Sequence, residues 1–120
     1  MANKREFKKF VTAVGSNVIE DMMLNYYTIK DINKDAVDTA IGKVLDAIET
    51  ARCNANVFFD KGPRAFETRK EYTREKERFF RALFDKIASD FEGSLEAAVK
   101  EFNDAVPQSV KDANKKALAD

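Results

Sequence analysis

The sequence predicts an all-α protein, an antiparallel three-helix bundle with a long third helix and a short C-terminal helical tail. Only four glycines and two prolines occur in 120 residues, so the chain has few turns and long elements. Apolar residues recur at three- and four-residue spacing in separate stretches, and no stretch alternates as a strand would. The length fits one domain. We expect the bundle over residues 1–106 and a tail, 107–120, that is a short helix or partly disordered.

The first helix is expected from Lys4 to Tyr27. Its apolar residues step by three and four, as one face of a helix requires; they are Phe7, Phe10, Val11, Val14, Val18 and Met22. The segment 28–35 is the expected connection to the second helix. Asn33 or Asp35 is the expected N-cap of that helix, because either side chain accepts a hydrogen bond from a free first-turn amide.

The second helix is expected along an apolar stripe that runs from Val37 to Phe59, and Gly62-Pro63 is the expected stop. The third helix is expected over residues 64–106, a stretch without proline and with the single glycine Gly93. Such a helix would be longer than about 60 Å. A kink or break near Gly93 is the alternative.

Charged residues dominate the start of the third helix. In the segment 67–78, nine of twelve residues are charged, and Tyr72 is the only large apolar side chain. A helix that is polar all round is solvated, spans a gap or meets a partner. This segment is therefore the first candidate for an interaction surface.

The charges of the third helix are also ordered along the chain. Residues 61–81 hold eight basic and four acidic side chains, a net charge of +4, whereas residues 82–106 have a net charge of −4. The helix dipole favours the opposite order. Two explanations remain open. The acidic second helix (35–60) would lie beside the basic half, or a second copy of the chain would pair with it in antiparallel fashion.

The composition excludes several classes of chemistry. The chain has no histidine, which removes histidine-based catalytic triads and histidine-built metal sites. Its scattered glycines form no phosphate-binding loop. We expect no enzyme activity, no cofactor and no metal. A net charge of zero argues against a dedicated nucleic-acid binder, and no apolar run approaches the length of a membrane span. The single cysteine, Cys53, fits a reducing compartment, so we expect a cytoplasmic protein.

The basic residues near the start of the third helix are the candidate contacts for a protein partner or for nucleic acid. This set is Arg64, Arg69, Lys70, Tyr72, Arg74, Arg78 and Arg81. Glutamates three or four positions away are expected to neutralise part of it within the helix. The expected pairs are Glu67/Lys70, Glu71/Arg74, Glu75/Arg78 and Glu77/Arg81.

Two further groups of residues are singled out by their positions on the helices. Arg52 falls within the apolar stripe of the second helix, so it is expected to form a buried ion pair with Asp21 or to bind an anion with Tyr26 or Tyr27. The distal apolar face of the third helix is expected to be a dimer interface. Its residues are Phe91, Leu95, Val99 and Phe102.

Together these patterns predict a small non-enzymatic helical protein that acts through self-association, a protein partner or both. A homodimer is expected. The alternatives are a nucleic-acid-associated module that uses the basic segment 61–81 and a small-anion binder.

Overall fold

Three α-helices form the fold in the computed structural model, which describes residues 4–108, 110 and 111. They are α1 (Lys4–Thr28), α2 (Lys34–Asn54) and α3 (Arg69–Ala105), with a short 3-10 helix, Pro63–Ala65, between α2 and α3. The predicted all-α three-helix fold is thus confirmed.

The tail begins with a helical turn. The backbone amides of Val110 and Lys111 donate to the Pro107 carbonyl oxygen at 3.0 and 3.2 Å. The prediction for 107–120, a short helix or a partly disordered tail, falls mostly on residues that are not described and stays a prediction. Residues 112–120 lie outside the described part of the chain.

The first connection agrees with the sequence prediction. Asn33 is the N-cap of α2, and its side-chain oxygen accepts a hydrogen bond from the Ala36 amide at 3.2 Å. Asp31 has a φ of 67°, the left-handed conformation that short polar residues tolerate better than others. The chain therefore reverses tightly between α1 and α2.

The second helix ends earlier than predicted. It stops at Asn54, where the Ala55 amide donates back to the Ala51 carbonyl oxygen at 3.1 Å. The prediction that the helix continues to Phe59 was wrong. Asparagine, β-branched and aromatic residues follow Asn54, and these are mediocre helix formers. Phe59 packs on α3 instead, as described below.

The third helix begins later than predicted and then runs without interruption. Thr68 is its N-cap, with the hydroxyl oxygen accepting a hydrogen bond from the Glu71 amide at 3.1 Å. The upstream residues Pro63–Ala65 form the separate 3-10 helix. From Arg69 the 37 residues of α3 give a length of about 55 Å. Helical structure is unbroken at Gly93.

The central helix of the bundle is α2, which packs along both α1 and α3, whereas α1 touches α3 only briefly. The packing of α2 on α3 is antiparallel, because the Asn33 amide donates to the Ala105 carbonyl oxygen at 3.1 Å. Small side chains on the buried face of α2, such as Ala40, Ala47 and Ala51, let the helices approach closely. The molecule measures 65 × 31 × 17 Å.

The core has two parts along this length. One joins the start of α1, the end of α2 and the middle of α3, and its buried residues are Phe7, Val11, Ala47, Ala51, Ala55, Ile87 and Phe91. The other lies toward the opposite end and contains Met22, Ile32, Val37, Ala40, Val44, Ala98 and Ala105. Both parts lie beside the C-terminal two thirds of α3, so the first turns of α3 contribute nothing to the core.

Candidate interaction surface on the third helix

The first three turns of α3 project beyond the other two helices. The last turn of α2 lies level with Ile87, since Ala51 and Asn54 line the same depression as Ile87. The start of α1 lies level with Phe80, since the Lys4 ammonium sits 5.7 Å from the centre of that ring. Residues 69–79 therefore extend past the ends of α1 and α2 as the structure describes them.

One side of this projection is covered by aromatic residues from the segment between α2 and α3. Phe59 lies between the others, with ring centroids 6.2 Å from Phe66, 6.0 Å from Tyr72 and 5.4 Å from Phe79. All four residues are half-buried. Phe59 was expected on the apolar stripe of α2, so this cluster was not predicted.

Another side of the projection is cationic and open to solvent. Arg69, Lys70 and Arg74 line a shallow depression together with Thr73 and Glu77, and all five side chains are exposed. Tyr72 belongs to the aromatic side, where it packs on Phe59 and Phe66. Arg64 lies in the 3-10 helix that precedes α3. The residues predicted as one binding set thus lie in three places, namely the open cationic face, the aromatic side and the 3-10 helix.

The cations of α3 are mostly not neutralised within the helix. Of the four predicted Glu/Lys or Glu/Arg pairs, only Glu75 and Arg78 form an ion pair, at 3.3 Å. Within residues 4–108, 110 and 111, the remaining cations of the set make no ion pair; they are Arg64, Arg69, Lys70, Arg74 and Arg81. Long exposed side chains lose entropy when they pair, which offsets most of the attraction in water.

The acidic helix α2 does not lie beside the basic half of α3, so that explanation of the charge order was wrong. Because α2 ends at Asn54, it runs along the acidic half instead. Lys43 of α2 forms an ion pair with Glu101 of α3. Farther along, Asp46 and Asp90 line the same shallow depression between the two helices. The basic half of α3 therefore has no acidic helix as a neighbour in the described chain.

Charge is separated along the described part of the molecule. The basic start of α1 (Lys4, Arg5, Lys8 and Lys9) lies at the same end as the projection, since the Lys8 ammonium donates to the Asn56 side-chain oxygen. The exposed acids Glu92, Glu96 and Asp104 lie on the other half of α3. A chain of zero net charge thus has a cationic end and an anionic half.

The predicted dimer interface is largely internal. Phe91 is 6% exposed and lies in the core, where α1 and α2 cover it. Leu95 is half-buried against both parts of the core, and Phe102 is half-buried against the second part. Only Val99, 37% exposed, presents an open apolar surface. The assignment of Phe91 to an exposed interface was wrong, because the first two helices cover more of α3 than the sequence suggested.

Arg52 does not form the predicted buried ion pair. It is exposed, and its guanidinium donates to the Thr12 hydroxyl at 2.8 Å. Asp21 is also exposed and lies nine residues farther along α1, about 13 Å from the level of Thr12. Tyr26 and Tyr27 are farther still, so the anion site that combined Arg52 with a tyrosine is not assembled.

Metal and membrane sites are not supported in the described part of the chain. Among those residues, no group of three or more cysteine, aspartate or glutamate side chains is placed to hold a metal ion. The same residues include no helix that is both long enough and apolar enough to cross a bilayer. The thiol of Cys53 is exposed and not in a disulfide.

Comparison with known proteins gives no further assignment. No protein-family model, no curated protein and no solved structure matches the chain. The charged surface of α3 and its surroundings are therefore the basis for the functional proposal.

Proposed function

We propose that this protein is a non-enzymatic association module whose binding surface is the exposed charged face of α3. It would associate with a copy of itself or with another protein that presents acidic side chains. The observation that carries this proposal is the cationic face of the projecting segment 69–79. There Arg69, Lys70 and Arg74 are exposed and make no ion pair with any described residue.

The layout of charge supports association over catalysis. Opposite charges on two protein surfaces steer encounter and select the partner, and a surface of one sign does so most strongly. The cationic face stands clear of α1 and α2, so a partner can reach it without displacing a helix. We further propose a cytoplasmic location, on the single exposed thiol of Cys53.

Nucleic-acid binding is the second candidate, and the unpaired cations favour it. Base stacking on aromatic side chains usually accompanies phosphate contacts in single-strand binders. Here Phe66, Tyr72 and Phe79 pack within their own cluster, on a different side of the helix from Arg74. The acidic distal half of α3 would also repel a polyanion. An acidic protein surface therefore fits better.

Binding of two defined probes tests the proposal. One is a fluorescent glutamate-rich peptide of about 20 residues, and the other is a single-stranded oligonucleotide of similar charge. Binding is followed by fluorescence anisotropy at several salt concentrations, and self-association is followed by light scattering. The Arg69→Glu, Arg74→Glu double variant removes the cationic face. The Lys76→Glu, Lys86→Glu variant makes the same change of net charge at exposed positions off that face and is the control.

The proposed function predicts that the protein associates with itself, binds the peptide or does both. The affinity should fall at least tenfold in the Arg69→Glu, Arg74→Glu variant and stay unchanged in the control. Preference for the oligonucleotide, with affinity that falls steeply with salt, would replace it with the nucleic-acid alternative. A protein that remains monomeric and binds neither probe would overturn it.

A further inference from the structure

We propose that the partner of α3 is the α3 of a second copy, paired antiparallel about a twofold axis that crosses the helix at the level of Leu83. This inference rests on the proposed function and specifies the partner. A second copy must offer the same surface as the first, so the surface must be complementary to itself when reversed. A stripe of six of the exposed charges of α3 meets this requirement.

Six exposed charged residues of α3 form a single stripe. Their spacings along the chain are four, seven, four, seven and four residues, and such steps keep side chains on one face of a helix. From the N-terminal end they are Lys70, Arg74, Arg81, Asp85, Glu92 and Glu96. The first three are basic and the last three are acidic. None of the six forms an ion pair with another described residue.

The stripe is symmetric in position and opposite in charge about Leu83. Each basic residue has an acidic counterpart at the same distance on the other side, namely 13, 9 or 2 residues from Leu83. The pairs are Lys70 with Glu96, Arg74 with Glu92, and Arg81 with Asp85. In an antiparallel twofold pair each combination occurs twice, so the six charges of each copy all meet opposite charges.

The fold leaves room for this arrangement. Lys70 and Arg74 lie on the segment 69–79, which projects beyond α1 and α2, so this part of each copy approaches the other copy as a single helix. The acidic part borders a groove between α1 and α3, where Glu92 lies among Phe10 and Leu95. Phe10, which lines this groove, is 58% exposed. A helix docked there would cover apolar surface beside the ion pairs.

The symmetry of the stripe favours a second copy over an unrelated acidic protein. An acidic partner would satisfy Lys70, Arg74 and Arg81 but would repel the other three members of the stripe. Head-to-tail contact between the cationic end and the anionic half would leave one end of each copy unmatched and would continue into chains. Antiparallel pairing satisfies both halves at once and closes with two copies.

A charge-swap experiment tests the pairing. An acidic-stripe variant carries Lys70→Glu, Arg74→Glu and Arg81→Glu. A basic-stripe variant carries Asp85→Lys, Glu92→Lys and Glu96→Lys. A control variant carries Lys61→Glu, Lys76→Glu and Lys86→Glu, three exposed charges away from the stripe. All substitutions are at exposed positions, and circular dichroism checks that each variant stays helical. Sedimentation equilibrium then gives the mass of each variant alone and of mixtures.

The pairing predicts that the wild type and the control are dimers at low salt. Each stripe variant alone repels its own copy and dimerises at least about 100-fold more weakly. An equimolar mixture of the two stripe variants restores the dimer, because every one of the six contacts is again between opposite charges. Combining all six substitutions in one chain also restores the homodimer.

Other outcomes overturn the pairing and show separately what becomes of the association function. If the wild type is a dimer, two results exclude this register: the stripe variants alone remain dimers, or their mixture remains monomeric. Both results leave association through α3 possible. Masses that grow beyond two copies point to head-to-tail chains. A wild-type monomer that still binds the glutamate-rich peptide excludes a second copy as the partner. A monomer that binds nothing overturns both proposals.

Discussion

The backbone amide of Asn33 donates to the backbone carbonyl oxygen of Ala105 at 3.1 Å, which ties the start of α2 to the end of α3. This contact places the beginning of one helix level with the end of the other. Because α2 has 21 residues and α3 has 37, the opposite end of α3 must extend past its neighbour. The exposed cationic face is thus a consequence of helix length and register.

The first prediction concerns Phe91, a core residue of α3. Replacing Phe91 with alanine should lower the free energy of unfolding by about 3–5 kcal/mol, because it removes a buried ring and leaves a cavity. The matched variant is Val99→Ala, on the exposed side of the same helix, with an expected cost below about 1 kcal/mol. Urea unfolding followed by circular dichroism measures both. Equal effects would contradict the placement of Phe91 in the core.

The second prediction concerns close packing between α1 and α2 at Gly15. A Cβ atom at this position would lie 2.5 Å from Cγ1 of Ile48, so Gly15→Ala forces the Ile48 side chain to move. We expect a net loss of about 1 kcal/mol, since overpacking exceeds the gain in helix propensity. Gly93→Ala is the control, where a Cβ meets nothing within 4 Å. It should raise stability by about 0.8–1 kcal/mol.

Thermal and urea unfolding of the two glycine variants give the comparison. The sign of the difference matters more than its size. A stabilising Gly15→Ala substitution would mean that α1 and α2 are farther apart than described.

The third prediction concerns the N-cap of α3. Thr68→Ala removes the hydroxyl that accepts a hydrogen bond from the Glu71 amide, and we expect a loss of about 1 kcal/mol. The control is Thr73→Ala, because the Thr73 hydroxyl donates only to the Arg69 carbonyl oxygen within the helix. That variant should be neutral or slightly stabilising, since alanine is the better helix former. Hydrogen exchange at Glu71 should accelerate in Thr68→Ala alone, and similar exchange in both variants would argue against the cap.

The fourth prediction concerns the aromatic cover of the projecting turns. Phe59→Ala should cost about 1–3 kcal/mol, less than a fully buried ring, and should increase hydrogen exchange in residues 69–79. Phe58 is the matched control, because its side chain is 80% exposed. Its ring lies 4.2 Å from the Lys4 ammonium and packs on no other aromatic ring of the described chain. Phe58→Ala should change stability by less than about 1 kcal/mol. Protection of 69–79 that survives Phe59→Ala would show that these turns need no aromatic cover.

The helices could be predicted from the sequence because their apolar residues repeat at helical spacing. The stripe of α1 was correct for this reason, except that Phe10 is 58% exposed. Of the two expected N-caps of α2, Asn33 and Asp35, Asn33 is the one that forms the cap. The end of α2 was missed because Phe58 and Phe59 continue the periodicity by coincidence. Periodicity does not distinguish a helix from a loop that folds back onto a neighbour. The run of residues with low helix propensity after Ala55 was the signal that would have indicated the stop; it is Asn56, Val57, Phe58 and Phe59.

The candidate surface could be predicted only in part. The high density of charged residues in 67–78 is visible in the sequence, and it correctly indicated a helix segment outside the core. Which cations form ion pairs within the helix depends on side-chain geometry, and only one of the four expected ion pairs forms. Tyr72 lies on the covered side of α3 and Arg74 on the open side, and which side is covered depends on where the segment before α3 packs. Neither property follows from spacing along the chain.

The most direct test of antiparallel pairing through α3 is the molar mass of the wild-type protein by light scattering, at low and at high salt. The pairing predicts about twice the chain mass of 13.6 kDa at low salt. The mass should fall toward that of one chain near 1 M salt, where the Debye length is about 3 Å and exposed charges no longer attract across the interface. A mass of 13.6 kDa at every salt and protein concentration would contradict the pairing.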